Sequence, residues 1–214
     1  MKKYAHSFIF LHGFTMHPDE MIFIKKRINN ILPKNINIKY IFPKAPMKKI
    51  TCYKNEKYFA WYDYYDPNIY TEPKINENDL IKSRKRIHKL ISKEKSYHNG
   101  KSNKIFVLGY SQGCCMALDA GITYPEKLGG IIGFKGHIIN YTFDSIKQGV
   151  QQNIWVRHGK MDKTIGYDLA KKSYDKYKKM GYDITFLSQN VNHGMITGIK
   201  DQMISLKIFL DKYL

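Results

Sequence analysis

The sequence predicts an α/β protein: one domain spanning residues 1–214, built on a mainly parallel, twisted sheet with helices on both faces. Three observations predict it. Apolar strand-like runs alternate with segments of helical periodicity along the whole chain, the pattern of a sheet whose crossovers are helices. Residues 104–109 form an apolar run of the kind found in central strands buried on both faces. The chain has 214 residues and 43% hydrophobic content, with no repeat, low-complexity segment or linker, which suits a single large core.

The elements follow in order. Two lysines before the apolar run 7–11 mimic a secretory leader. The run is too short, however, and ends in His12-Gly13 without a small-residue cleavage pattern, so it reads as the first strand. Pro18-Asp19-Glu20 opens a helix with acidic residues in its first turn. Met21, Ile24, Ile28 and Ile31 give it an apolar face, and Pro33 stops it. Ile36, Ile38, Tyr40 and Phe42 alternate as in a strand. Residues 43–78, with Pro46, Pro67, Pro73 and many aromatics, read as a long irregular excursion of the functional kind. Asn78 or Asp79 is expected to cap the next helix, with Leu80, Ile87, Leu90 and Ile91 inward and Asn99-Gly100 at its end. Beyond the central strand come a helix over 112–123 and strands over 129–134 and 153–158. A helix over 168–180 follows, with Leu169, Ser173, Tyr177 and Met180 on one face and Gly181 at its C-cap. A strand over 182–187 leads to a last helix lined by Ile199, Met203, Leu206 and Leu210.

Composition narrows the function classes. The net charge of +18 favours acidic partners, but the lysines are dispersed. The densest run, residues 82–89, falls on a predicted helix and reads as a solvated face, so no specific nucleic-acid partner is expected. No stretch of eighteen apolar residues suggests a membrane span. The cysteines are Cys52, Cys114 and Cys115, an odd set with two adjacent, which is no disulfide framework. A reducing, cytoplasmic setting fits, and Cys114 and Cys115 read as small buried residues on a helix. No second group of Cys or His at ligand spacing accompanies them, so no redox or metal role is expected.

The chemistry concentrates at Gly109-Tyr110-Ser111-Gln112-Gly113, a G-x-S-x-G sequence between an apolar strand and a predicted helix. That context defines a nucleophile elbow, and with it an α/β-hydrolase fold. The strand-to-helix turn is tight, glycines let neighbouring chain pass close, and the serine is pushed into the open beside a helix N-terminus. A serine needs a base. His12, His158 and His193 all fall at predicted strand ends, but on this fold the order along the chain is Ser, acid, His. His193 is the candidate that follows Ser111 with an acid between. Asp162, just beyond the strand ending at His158, is the preferred acid. Asp168 competes but reads as a first-turn helix residue, and Asp183 falls inside the last strand. The oxyanion donors are expected to be the backbone N–H groups of Gln112 and Phe14, with His12 holding the Phe14 loop.

With these residues placed, the chain resembles the phospholipase/carboxylesterase family, whose best-known members are acyl-protein thioesterases. Phe10-Leu11-His12-Gly13-Phe14 is similar to its oxyanion loop, and residues 38–46 to its strand ending in a P-x-A-P turn. Trp61-Tyr62-Asp63 matches its W-[FY]-D motif, residues 109–113 its G-[FL]-S-Q-G elbow, and His158-Gly159 with Asp162 its H-G-x-x-D pattern. His193 aligns with its catalytic histidine. Two departures stand out: Cys114 replaces a usual glycine, and Ile165-Gly166 replaces a usual Val-Pro pair. The resemblance implies a hydrolase with no separate lid domain and no cofactor. It implies a catalytic Ser111, Asp162 and His193, and cleavage of an acyl ester or thioester through an acyl-enzyme.

The expected substrate is a small ester, a lysophospholipid or an S-acylated protein, with Tyr53, Phe59, Trp61 and Tyr65 as candidate walls of an acyl groove. The high charge adds an expectation of weak electrostatic association with anionic membrane surface. Two other readings stay open. The same fold hydrolyses peptides or carbohydrate esters. A non-catalytic protein would instead bind through its basic surface.

Overall fold

The computed structural model describes residues 4–66, 71–146, 150–194 and 199–214, with the side chains of residues 199–202 left aside. Six strands form one parallel sheet: β1 (His6–Leu11), β2 (Ile38–Ile41), β5 (Ile105–Tyr110), β6 (Gly130–Phe134), β7 (Ile154–Gly159) and β8 (Thr185–Gln189). Their spatial order is β2-β1-β5-β6-β7-β8. The expected mainly parallel sheet with helices on both faces is therefore what the chain forms.

Alternation along the strands explains how two layers of helix are held. On β1 and β5, Phe8, Phe10, Phe106 and Leu108 face one way, where they meet α1 (Ile22–Ile31) through Ile24 and Ile28 and α6 (Ile199–Tyr213) through Leu206 and Leu210. Ile9, Leu11 and Val107 face the other way, onto α2 (Glu77–Tyr97), α3 (Gln112–Ile122) and α5 (Tyr167–Lys179). Both faces are thus apolar, as a sheet covered on both sides requires. A short helix, α4 (Asn140–Phe143), lies between β6 and β7.

Several details differ from the sequence expectation. The excursion is not wholly irregular: β3 (Met47–Ile50) and β4 (Glu56–Phe59) pair antiparallel from Met47 opposite Phe59 to Ile50 opposite Glu56. The hairpin turns through Lys54 and Asn55, both at positive φ. Residues 67–70 of the excursion lie outside the described residues, as does the side chain of Ile199. The α2 helix is capped by Asn76, whose Oδ1 accepts the Asp79 N–H at 3.1 Å. That cap is two residues earlier than expected, because Glu77 and Asp79 then occupy the first turn, where carboxylates favour the helix dipole. Pro18–Met21 forms a 3-10 turn before α1 begins. The inner face of α5 is Ala170, Ser173, Tyr174 and Tyr177, whereas Met180 is 45% exposed. The two buried tyrosines carry more apolar area to the sheet than Leu169 and Met180 would. Asp183 precedes β8 instead of lying within it. On α2, Lys82, Lys85, Arg86 and Lys89 are exposed, as a solvated face should be, while Arg84 pairs with the buried Asp119 at 2.6 Å.

Candidate active site

The site lies at the carboxyl ends of β1, β5 and β7, where open α/β sheets carry their ligands. Ser111 joins β5 to α3 with φ 55 and ψ −124, a conformation that non-glycine residues rarely adopt. Its N–H is held by Phe134 O at 2.9 Å, and its carbonyl accepts the N–H groups of Cys114 and Cys115. The flanking glycines make the turn possible. A Cβ on Gly109 would sit 2.0 Å from Gly113 O, and one on Gly113 would sit 2.2 Å from Leu11 O. Both clashes are with backbone, which cannot swing away. Cys114, in the place of a usual glycine, is fully buried and fits because Gly133 and Gly136 face it: a Cβ on either would fall within 2.7 Å of its Sγ.

His193 lies past β8, with Nε2 2.9 Å from Ser111 Oγ and Nδ1 2.7 Å from Asp162 Oδ2. A carboxylate can only accept, so Nδ1 carries the proton and Nε2 is left to accept from the serine hydroxyl. The three residues named from chain order are therefore brought into one hydrogen-bonded line. Asp168 is exposed in the first turn of α5, and Asp183 is exposed before β8.

Asp162 is 6% exposed. Burial alone would raise its carboxyl. The hydrogen bond and charge of His193, with the Ile165 and Thr164 amides, outweigh burial and hold it below the usual carboxylate range. Those two amides donate to Oδ1 at 3.0 and 2.9 Å, leaving Oδ2 for the imidazole. His158 adds a second tie by donating Nε2–H to Ile165 O at 2.8 Å. The acid loop is thus fixed by hydrogen bonds where a proline is usual. His158 itself is pushed below the ordinary histidine range, chiefly by burial, and stays neutral.

His12 does not join that line. It is fully buried, its Nε2 accepts the Ala45 N–H at 2.9 Å, and its Nδ1–H donates to Gly13 O at 2.8 Å. It ties the loop after β1 to the turn at Ala45. Phe14, on that loop, lines the same cleft as Ser111. The Gln112 N–H is the first of α3, and first-turn amides have no intrahelical acceptor.

Sequence reasoning missed the part played by the Gln112 side chain. Its Oε1 accepts the Trp61 N–H and its Nε2 donates to Tyr62 O, both at 2.9 Å. The Trp61 indole then donates to His12 O at 2.8 Å. The elbow, the Trp61-Tyr62-Asp63 segment and the loop after β1 are thereby knitted together. Gln112 and Trp61 lie 51 residues apart, so only the two motifs themselves could have hinted at the contact.

The cleft beside Ser111 has a volume of about 120 Å³ and is walled by Phe14, Tyr53, Tyr64, Ile165 and Leu169, with His137. Of the expected groove aromatics, Tyr53 lines it. Trp61 is instead fully buried beneath the loop, Tyr65 is 48% exposed, and Phe59 packs edge-on against His17. Among the described residues no group of His, Cys, Asp and Glu could hold a metal ion, and no helix is long and apolar enough to cross a membrane.

The sequence profile of the family described as Phospholipase/Carboxylesterase matches residues 1–214. The chain is 35% identical over 130 residues to "Acyl-protein thioesterase 1" of Schizosaccharomyces pombe, a match covering 61% of this chain and 55% of that protein. It is 30% identical over 171 residues to the protein of the same name from Yarrowia lipolytica, covering 78% and 74% of the two. The chain thus spans little more than half the length of the first relative and about three quarters of the second. Among solved structures, Arabidopsis thaliana SOBER1 superposes with a TM-score of 0.86 at 18% identity, covering 97% of this chain and 98% of that one. Zea mays acyl-protein thioesterase 2 gives 0.77 at 19% identity, covering 98% and 95%. These two likenesses establish the α/β-hydrolase fold.

Proposed function

Because this chain belongs to the phospholipase/carboxylesterase family, we propose that it hydrolyses carboxylic esters or thioesters through a Ser111–His193–Asp162 triad and an acyl-enzyme. The observation that carries this reading is the line of contacts from Ser111 Oγ through His193 to Asp162, 2.9 and 2.7 Å long, opening on an apolar cleft. His193 Nε2 takes the Ser111 proton as Oγ attacks the acyl carbon. Asp162, held ionised, keeps the imidazole in the correct tautomer and stabilises the imidazolium. The oxyanion is received by the N–H groups of Gln112 and Phe14, with the α3 N-terminus adding positive potential. The imidazolium then protonates the departing alcohol or thiol. Water enters, gives a proton to His193 and attacks the acyl group, and Ser111 is restored.

The cleft walls favour an apolar acyl chain, such as that of a lysophospholipid, an S-acylated protein or a simple ester. Hydrolysis of p-nitrophenyl esters from acetate to palmitate, with wild type beside Ser111→Ala, tests this. Turnover that falls by about four orders of magnitude or more in the variant supports the reading. No turnover of any ester, or an equally active variant, would overturn it.

A further inference from the structure

Three consecutive carbonyls in the loop bearing His193 are gripped by side chains of Tyr110 on β5 and Lys135 just past β6. Tyr110, the residue before Ser111, donates its hydroxyl to His193 O at 2.7 Å, and its ring packs beside the imidazole with centroids 5.4 Å apart. Lys135, just past β6, donates Nζ–H to Gly194 O at 2.7 Å and to Asn192 O. Lys135 is 1% exposed, and its backbone adopts φ 58 with its amide tied to Arg157 O at 2.8 Å. A buried ammonium must exchange its hydration for fixed oxygens, and main-chain carbonyls from both sides of His193 supply them.

We propose that Lys135 is a positioning residue for the acyl-transfer reaction. Its buried ammonium gathers the carbonyls of Asn192 and Gly194 while Tyr110 holds the one between, so that the imidazole stays in line between Ser111 and Asp162. This rests on the reading of His193 as the base. The carbonyl dipoles turn inward toward a cation. Without it they are free to turn to water and carry the imidazole with them, and small misplacements of a reacting group cost large factors in rate.

The groups facing Lys135 are Arg157 and His158 on β7, Asp162 on the loop after it, His193, and Tyr110 on β5. Burial brings the Lys135 ammonium down from 10.5 to about 8. Arg157 adds to the fall and Asp162 opposes it. Tyr110, raised by burial to about 12, stays neutral throughout. Two consequences follow. As pH rises through about 8 the ammonium is lost and kcat declines. Between about 8 and 10.5 the unfolded chain holds the proton that the folded chain has released, so the ammonium opposes folding at neutral pH. Loss of the charge by titration therefore lowers activity without lowering stability, which a merely structural lysine would not do.

The test compares wild type, Lys135→Met, Lys135→Ala, Tyr110→Phe and His193→Ala as full chains, on p-nitrophenyl butyrate and in thermal melts. Lys135→Met is expected to lose about ten- to a hundredfold in kcat with little change in KM, to lose the alkaline decline, and to melt no lower than wild type. Tyr110→Phe loses a smaller factor in kcat. In Lys135→Ala, added propylammonium restores part of the rate. An unchanged kcat in Lys135→Met overturns the proposal while leaving the triad reading intact. So does a parallel fall of rate and melting temperature with no rescue by propylammonium. If His193→Ala hydrolyses the ester as fast as wild type, the reading of the base fails and the proposal falls with it.

Discussion

At the scale of residues, the elbow holds a strained backbone in place by over-determining it. The unusual φ of Ser111 costs about 1–3 kcal/mol. It persists because Phe134, Cys114 and Cys115 all bond its backbone. Gln112 holds its surroundings through its side chain. Gln112→Ala leaves the buried Trp61 N–H and Tyr62 carbonyl without their partners. It is expected to destabilise the fold by about 3 kcal/mol, measured by urea unfolding, and to lower kcat by loosening the loop under Phe14. An unchanged midpoint would show that the clamp contributes nothing. That Ser111, Asp162 and His193 meet in one hydrogen-bonded line was legible, because residue types and chain order point to it. The Gln112–Trp61 clamp was not, because no local pattern records a contact between residues so far apart in the chain. The aromatics of the excursion misled for a related reason: Trp61 and Tyr53 look alike in sequence, yet one is buried under a loop and the other faces the cleft.

At the scale of elements, boundaries follow caps more than apolar periodicity. Asn76 begins α2 because its carboxamide reaches the Asp79 amide, and Asn76→Ala is expected to cost about 1 kcal/mol in urea unfolding. Asn78→Ala, at the position periodicity favours, should leave stability nearly unchanged, and the reverse order would refute the assignment. The hairpin of β3 and β4 escaped the sequence because Met47-Lys48-Lys49-Ile50 and Glu56-Lys57-Tyr58-Phe59 lack apolar alternation. Only Ile50 among those eight residues is buried, so the pairing is carried by backbone bonds and leaves little trace in composition. The parallel strands were plain by contrast, since burial on both faces forces continuous apolar runs.

At the scale of the whole molecule, acid sensitivity follows from histidines buried in neutral form. Burial lowers both His6 and His137 from 6.5 to about 4, with Lys104 and His98 adding to the effect at His6 and His158 at His137. Between those pH values the unfolded chain binds protons that the folded chain refuses, so the histidines' contribution to stability is fully present above about 6.5 and is lost as pH falls toward 4. Each histidine contributes up to about 3 kcal/mol of that loss. Urea unfolding at pH 7 and at low pH checks it: the midpoint should fall, and less so in His137→Phe. A pH-independent midpoint would contradict the burial argument. The α/β class was readable from alternation alone, whereas these pH-dependent terms depend on which histidines the sheet covers.

The covalent step is the most direct measure of a nucleophilic Ser111. Rapid quenching of the enzyme during turnover of p-nitrophenyl acetate, followed by mass analysis of its peptides, should find one acetyl group on the peptide carrying Ser111 and none in Ser111→Ala. Turnover with an unmodified Ser111, or an acetyl group carried elsewhere and persisting in the Ser111→Ala variant, would contradict it.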